Sequence, residues 1–174
     1  MRKLVFISLV AALALPAWAA AGSRPSAADR AAARARCSSE RDAMSPHVFK
    51  LTYGTNATRS NAFGVCVSRL AQQSRQNHAN ASAQCRDERA TDAAAFKDRY
   101  GTGPNKANAF GKCVSQKAKA AGDRQEQATE NAAKQCRTEQ LADPAAFKEQ
   151  YGTNANKSNA FGKCVSGKVK HQSP

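Results

Sequence analysis

The chain contains the same cysteine-bearing segment three times, and this recurrence constrains the fold more than any other feature. Residues 37–68, 85–115 and 136–166 align residue for residue, apart from one extra residue early in the first copy. In each copy, Phe-Lys-x-x-Tyr-Gly-Thr is followed by Asn-Ala-Phe-Gly-x-Cys-Val-Ser. A recurrence of about 50 residues predicts a tandem array, in which each unit rests mainly on itself and its neighbours.

The first 21 residues have the composition of a signal peptide. Arg2 and Lys3 precede an apolar stretch over residues 4–15, which is too short to span a bilayer, and residues 16–21 form an Ala-rich cleavage region. We therefore predict an exported protein, secreted or held in the cell envelope, in an extracellular or periplasmic compartment. The predicted division of the chain is a signal peptide at 1–21, a first repeat at 22–69, a second repeat at 70–117, and a third repeat with a C-terminal tail at 118–174.

Each copy contains two cysteines, and export makes disulfide bonds between them chemically possible. Residues 22–174 contain only three Leu, six Val and six Phe, which is little apolar surface to offset the entropy of ordering the backbone. A bridge that closes a loop of about 28 residues stabilises a fold by roughly 3–4 kcal/mol in the chain-entropy treatment. A disordered basic chain with incidental cysteines is the alternative, but disorder does not require the same aromatic positions three times.

Six cysteines can pair in many ways, and the sequence alone does not choose among them. The pairing within each copy is favoured because it is the one local pattern that uses every copy identically. The predicted disulfide bonds are Cys37–Cys66, Cys85–Cys113 and Cys136–Cys164.

The composition of each copy is helical, since Ala, Lys, Arg, Gln and Glu are frequent and no segment alternates apolar with polar residues. In the third copy, Asp143 and Pro144 predict the start of a short helix, and Gly152 predicts its left-handed end. Phe147 and Tyr151 lie four residues apart on one face of this helix. The equivalent predicted caps are Ser45 and Asp92, and the equivalent predicted stops are Gly54 and Gly101.

A further helix is predicted after a short polar loop in each copy. Phe161, Cys164 and Val165 have the i, i+3, i+4 spacing of one apolar stripe. A glycine recurs inside this helix at a cost of about 1 kcal/mol relative to Ala, so we expect a neighbouring backbone or ring to pass close to it. The predicted N-caps are Thr58, Asn105 and Asn156, and the recurring glycines are Gly64, Gly111 and Gly162.

We therefore predict an all-α fold of three tandem disulfide-stapled helical hairpins joined by helical connectors, giving an elongated molecule. The connectors at 70–84 and 118–135 contain no proline and many helix formers, with Gly122-Asp123 as the expected break. Flexible linkers are the alternative. Two Phe, one Tyr, one Val and the disulfide bond are expected to form each small core.

The first copy departs from the pattern of the other two. Leu51 and Thr52 precede its tyrosine, and Val65 stands where the other copies have a lysine. We interpret this copy as a terminal unit adapted to capping the array.

Basic residues recur at matched positions in the copies. The whole chain has 27 Lys and Arg against 13 Asp and Glu, a formal net charge of +14. A regular array of positive charge attracts polyanions and releases their counterions. The alternative is a solvated surface that keeps a poorly hydrophobic protein in solution. The predicted polyanion-binding residues are Lys50, Lys97, Lys148, Arg59, Lys106, Lys157, Arg69, Lys117, Lys168, Lys112 and Lys163.

No catalytic, metal or cofactor site is predicted. The chain has no Cys-x-x-Cys motif, and its three histidines have no counterparts between the copies, which argues against a metal or redox centre. The three polar loops carry no acidic residue, so turn and cap chemistry accounts for them better than a calcium site. A glutamate recurs three residues after each first cysteine, and we expect it to pair with Lys or Arg on a helix surface and not to act in catalysis. These glutamates are Glu40, Glu88 and Glu139.

The run from Tyr151 to Ser166 resembles a motif of uncharacterised exported bacterial proteins, which are often Ala-rich and carry one or several copies of it. The resemblance covers the three repeats and not the connectors, and it implies no established activity, cofactor or binding residue. The sequence favours a non-enzymatic exported repeat protein, a multivalent cationic binder of acidic polymers such as wall polymer, polysaccharide or nucleic acid. A structural or spacer protein with a merely solubilising charge is the alternative. A membrane-active cationic protein fits less well, and no stable membrane insertion is expected, because the apolar faces are committed to hairpin cores.

Overall fold

The computed structural model describes residues 24–172, and in this part the chain forms seven α-helices and no strand. The predicted all-α class is confirmed, while the expected signal peptide at 1–21 lies outside the described residues. The helices are α1 (Ala27–Met44), α2 (Pro46–Tyr53), α3 (Ala62–Thr91), α4 (Ala93–Tyr100), α5 (Ala109–Ala142), α6 (Pro144–Tyr151) and α7 (Ala160–Gln172).

The disulfide bonds follow the predicted pairing within each copy. They join α1 to α3, α3 to α5 and α5 to α7, with Cα–Cα distances of 6.0, 6.1 and 6.0 Å. All six cysteines are fully buried. The bonds are Cys37–Cys66, Cys85–Cys113 and Cys136–Cys164.

The predicted cores are also confirmed. In each copy the Phe and Tyr of the short helix pack with ring centroids 4.9–5.0 Å apart, and the disulfide lies against them. The Phe and Val of the following helix complete the cluster. The four side chains are Phe49, Tyr53, Phe63 and Val67 in the first copy, Phe96, Tyr100, Phe110 and Val114 in the second, and Phe147, Tyr151, Phe161 and Val165 in the third.

Two of the three predicted caps of the short helices are present. The Asp92 carboxylate accepts hydrogen bonds from the backbone N–H groups at the start of α4, at 3.0 and 2.9 Å, and Asp143 does the same for α6. The prediction is wrong for Ser45, whose side chain makes no cap hydrogen bond. Ser45 has a φ of 70°, so the chain turns sharply there between α1 and α2.

The prediction of left-handed glycine stops is wrong. Gly101 follows α4 with a φ of −78°, and the residues of this loop with positive φ are Gly103, at 82°, and Lys106, at 49°. A Cβ atom on Gly101 would lie 2.4 Å from the Cβ atom of Lys106. Glycine is required here because the loop folds back against it. The same relation joins Gly54 to Arg59 and Gly152 to Lys157.

The predicted N-caps of the following helices are wrong by three residues. These helices begin at Ala62, Ala109 and Ala160, so the loops are longer than expected. An asparagine just before each helix holds the loop together: the Asn61 side chain accepts from the Thr55 N–H at 3.1 Å and donates to the Thr55 hydroxyl at 2.7 Å. Asn108 and Asn159 make the equivalent bonds to Thr102 and Thr153. These asparagines close a loop rather than cap a helix.

The connectors are continuous with the helices on both sides, so the flexible-linker alternative does not hold. The expected break at Gly122-Asp123 is absent, because α5 runs through it. The Arg36 guanidinium of α1 crosses α5 at Gly122, where a Cβ atom would lie 2.0 Å from it, and binds Asp123 at 3.0 Å. Gly122 thus serves helix packing.

The long helices fold back on one another. Disulfide and side-chain bonds place α3 antiparallel to both α1 and α5, and α1 also packs on α5. At 1.5 Å per residue, α3 and α5 are about 45 and 51 Å long, and they set the long axis of a helical bundle. The three hairpins therefore do not form an open row.

The first copy packs directly on the third. Helix α2 lies on α7, and Met44, Val48 and Leu51 cover the core of the third copy. Phe161 is only 2 % exposed as a result. Of the departures of the first copy from the repeat, Leu51 serves this contact, whereas Val65 is not part of the cluster.

Candidate anion-binding surface and cleft

Four of the predicted basic residues already hold an acidic partner within their own copy. Lys157 binds Glu149 at 2.5 Å, and Lys106 binds Asp98 in the same way. The other two bind the recurring glutamates: Lys117–Glu88 at 2.7 Å and Lys168–Glu139 at 2.8 Å. These lysines stabilise the fold and present less free charge than the sequence predicted.

Five of the predicted lysines are exposed and form no ion pair within residues 24–172. Three of them occupy the last turn of the short helices, and two lie near the start of α5 and α7. They recur at matched positions, so the free charge is patterned. They are Lys50, Lys97 and Lys148 in the first group, and Lys112 and Lys163 in the second.

In the second copy and in the third, the recurring glutamate forms a network of three residues with a tyrosine and a lysine of its own copy. Glu139 accepts from the Tyr151 hydroxyl at 2.8 Å and from Lys168, and these two donors hold the pKa of Glu139 below its ordinary value. Its carboxylate in turn raises the pKa of Lys168. Lys117 and Tyr100 likewise lower the pKa of Glu88. The expected pairing with Lys is thus found, with a tyrosine added.

Glu40 in the first copy differs from these two glutamates. It is completely buried, it accepts a hydrogen bond from the Tyr53 hydroxyl, and its second oxygen has no hydrogen-bond partner in the described chain. Burial, with a further contribution from Glu126 and Glu130, raises its pKa from about 4.5 to about 7. The expected surface pairing is wrong here, because no base reaches the carboxyl group.

Two arginines of the first copy, Arg59 and Arg69, form no ion pair within residues 24–172, and Arg59 has lost the acidic partner that its counterparts keep. Leu51 occupies the position of Asp98 and Glu149, so Arg59 has no carboxylate to bind. It donates instead to the carbonyls of Leu51 and Gly54, at 3.3 and 3.1 Å, and to that of Ser158 in the third copy. Arg69 lies over the Tyr53 ring, 5.4 Å from its centroid, and binds no carboxylate either.

A cleft opens where the loops of the first and third copies meet. It has a volume of about 710 Å³, within the range of small-ligand sites, and its lining by residues of the described range 24–172 includes no acidic side chain. Three of its lining side chains are basic: Arg59 and Arg69 from the first copy and Lys163 from the third. Amides and hydroxyls make up most of the remaining side chains.

Part of this polar lining is already used within the loops. Asn154 donates to the Ser158 hydroxyl at 3.0 Å, and Asn56 makes the equivalent bond. The Asn156 amide nitrogen and the Ser166 hydroxyl make no hydrogen bond within the described residues, so they can serve a bound molecule. The cleft thus combines uncompensated positive charge with free hydrogen-bonding groups.

No protein-family model, curated protein or solved structure matches this chain. Within residues 24–172, no helix is long and apolar enough to cross a membrane. The same part of the chain holds no group of three or more His, Cys, Asp or Glu side chains suited to a metal ion.

The cleft and the buried glutamate were not found from the sequence. The signal was present as two departures in the first copy: Leu51 stands in place of an acid, and Leu70 stands in place of a lysine. Their meaning depends on contact between residues about 100 positions apart, which a pattern within one repeat does not contain.

Proposed function

We propose that this chain is a non-enzymatic, exported binder of acidic envelope or extracellular polymers. The five predicted lysines without an ion pair carry the proposal, because they repeat at equivalent places and no carboxylate binds them within the described residues. Lysine is a flexible point charge, which suits attraction to a polymer more than recognition of one fixed group.

Multivalency compensates for the weakness of each contact. An exposed ion pair contributes only about 0–1 kcal/mol, but linked contacts act at high effective concentration. The bundle holds its copies at fixed separations, since α3 and α5 are continuous helices. A long polyanion can therefore engage several lysines at once.

Disulfide bonding supports the exported location. Three buried disulfides and no free cysteine in the described chain fit an oxidising compartment. The basic residues near the start of residues 1–21 and the apolar stretch that follows them are typical of an export signal.

A spacer protein is the second candidate, and one observation favours it. Lys50, Lys97 and Lys148 occupy the last turn of short helices, where a cation interacts favourably with the helix dipole. Their recurrence would then reflect helix stability alone.

Retention on immobilised heparin across a salt series tests the proposal. The triple variant Lys50→Gln/Lys97→Gln/Lys148→Gln should elute at clearly lower salt than the native protein, because three patterned contacts are lost. A matched variant, Arg86→Gln/Arg124→Gln/Lys134→Gln, removes the same charge from exposed, unpaired positions outside the pattern. It should elute later than the first triple.

The outcomes separate the two candidates. Absence of native retention above low salt would favour the spacer protein. Equal loss in both triples would show that bulk charge, and not the repeated positions, determines binding.

A further inference from the structure

We infer that the cleft between the first and third copies binds one anionic group of an acidic glycan. This inference rests on the proposed function and deepens it by giving the polymer a specific contact point. The first step is that the cleft is a built feature of the fold. Helix α2 sits on α7 with the Thr52 carbonyl 3.2 Å from where a Cβ atom of Gly162 would lie, and Arg59 donates across the contact to Ser158.

The second step concerns charge. In the other two copies the cation at the position of Arg59 has a carboxylate: Lys106 binds Asp98 and Lys157 binds Glu149. In the first copy Leu51 stands in place of this carboxylate. Arg69 has no basic counterpart, since Gln116 and Gly167 occupy its position, and it forms no ion pair within residues 24–172. Both arginines therefore bring uncompensated positive charge to the same cleft, to which the third copy adds the unpaired Lys163.

The third step concerns the way in which the positive charges are held. Arg59 is fixed by three carbonyl groups, and Arg69 by the Tyr53 ring. Fixed guanidinium groups lose little freedom on binding and match the geometry of sulfate, phosphate and carboxylate oxygens. Lys163 is free to move toward whichever oxygen remains.

The fourth step selects a glycan over a nucleic acid. Proteins that hold single-stranded nucleic acid offer aromatic faces for base stacking. The one aromatic residue of this cleft, Tyr53, is 2 % exposed and lies beneath Arg69. The amide and hydroxyl lining, including Asn156 and Ser166, suits sugar hydroxyls instead.

Calorimetric titration with a sulfated heparin disaccharide tests the inference, since a cleft of about 710 Å³ admits a ligand of this size. A galacturonate disaccharide, a 5′-phosphorylated thymidine dinucleotide and maltose form the other arms. We expect one site for the sulfated sugar, weaker binding of the galacturonate, still weaker binding of the dinucleotide and none of maltose.

The variant Lys163→Gln should weaken binding of the sulfated disaccharide by about fivefold or more, as should Arg69→Gln. Arg69→Lys should retain part of the affinity, because the charge remains. Lys112→Gln is the matched control: Lys112 has the same place on α5 as Lys163 has on α7, is exposed and unpaired in the described chain, and lies outside the cleft. It should change the affinity less than about twofold.

Equal effects of Lys163→Gln and Lys112→Gln would overturn the inference, as would no disaccharide binding by a protein that still binds heparin. In both cases the proposed function stands. A native protein that binds neither heparin nor the disaccharide would overturn both this inference and the proposed function. A dinucleotide that binds as tightly as the sulfated sugar would refute the glycan assignment.

Discussion

The carboxyl group of Glu40 has lost the basic partner that its two counterparts keep. Lys117 and Lys168 bind Glu88 and Glu139, but Leu70 occupies their position in the first copy. Arg69, one residue earlier, lies over the Tyr53 ring. Helix α5 then covers Glu40 and brings Glu126 and Glu130 near it. The recurring glutamate thus forms an ion pair with lysine in the second and third copies. In the first copy it is a buried acid with one hydrogen bond.

This difference predicts how stability depends on pH. The pKa of Glu40 is about 7 in the folded state and about 4.5 when exposed, so between these values the folded state binds the additional proton. Its contribution to the free energy of unfolding therefore falls as pH rises from about 4.5 to about 7. The total decrease is up to about 3 kcal/mol.

The substitution Glu40→Gln removes this dependence and keeps an acceptor for Tyr53. Urea unfolding at several pH values should show the variant more stable than the native protein at pH 8, and about equal to it near pH 4.5. Glu88→Gln is the control with the opposite sign. The pKa of Glu88 is lowered by Lys117, so its carboxylate stabilises the fold above the unfolded pKa and that stabilisation is lost on acidification. A Glu40→Gln variant less stable than native at pH 8 would contradict the assignment.

At the level of helices, local rules predicted some boundaries and failed at others. Asp92 and Asp143 cap their helices because a carboxylate and the N–H groups two and three residues later suffice for these bonds. The role of Gly101 depends on Lys106, five residues later, which folds back against it. Sequence analysis therefore identified the glycine as essential to the turn but assigned it the wrong conformation.

The same glycine recurs in the helix after each loop, but its surroundings differ between the copies. A Cβ atom would meet nothing within 4 Å at Gly64 and Gly111, whereas at Gly162 it would lie 3.2 Å from the Thr52 carbonyl. The expected close approach is thus found only at Gly162, where α2 packs on α7. In the other two copies the glycine weakens the helix without a packing reason in the described chain.

We therefore expect Gly111→Ala to raise the free energy of unfolding by roughly 0.5–1 kcal/mol, because alanine favours the helix and meets open space. Gly162→Ala should give a smaller gain or a loss, since α2 has to shift. Thermal unfolding of both variants beside the native protein measures the difference. An equal gain at both positions would show that α2 does not press on α7 as described.

Over the whole molecule, the content of each copy was predictable and the arrangement of the copies was not. Cysteine pairing, core residues and helix class follow from spacing within about 30 residues. The packing of the first copy on the third depends on Met44, Val48 and Leu51. In the sequence these residues are only small departures from the repeat. Helices that fold back can bring distant copies together, and a repeat pattern describes only sequence neighbours.

This arrangement leaves the second copy with the least support. Its buried cluster consists of Cys85, Phe96, Ala109 and Cys113, and among the seven described helices its short helix α4 packs only on α3 and α5. The third copy has a larger cluster, which Met44 from the first copy completes. The second disulfide therefore holds a core that no other copy covers.

Removal of the second and third disulfides in turn tests this unequal support. The bridges close loops of the same sequence separation, 28 residues, so the chain-entropy loss is equal, at roughly 3–4 kcal/mol each. In the variant Cys85→Ala/Cys113→Ala, the amides of Ala93–Tyr100 should nevertheless exchange through a local opening. The free energy of this opening should lie well below that of global unfolding. In Cys136→Ala/Cys164→Ala, the amides of Pro144–Tyr151 should keep more protection, because the first copy still covers that core. Equal loss in the two helices would mean that packing of the first copy on the third adds nothing to the stability of the third.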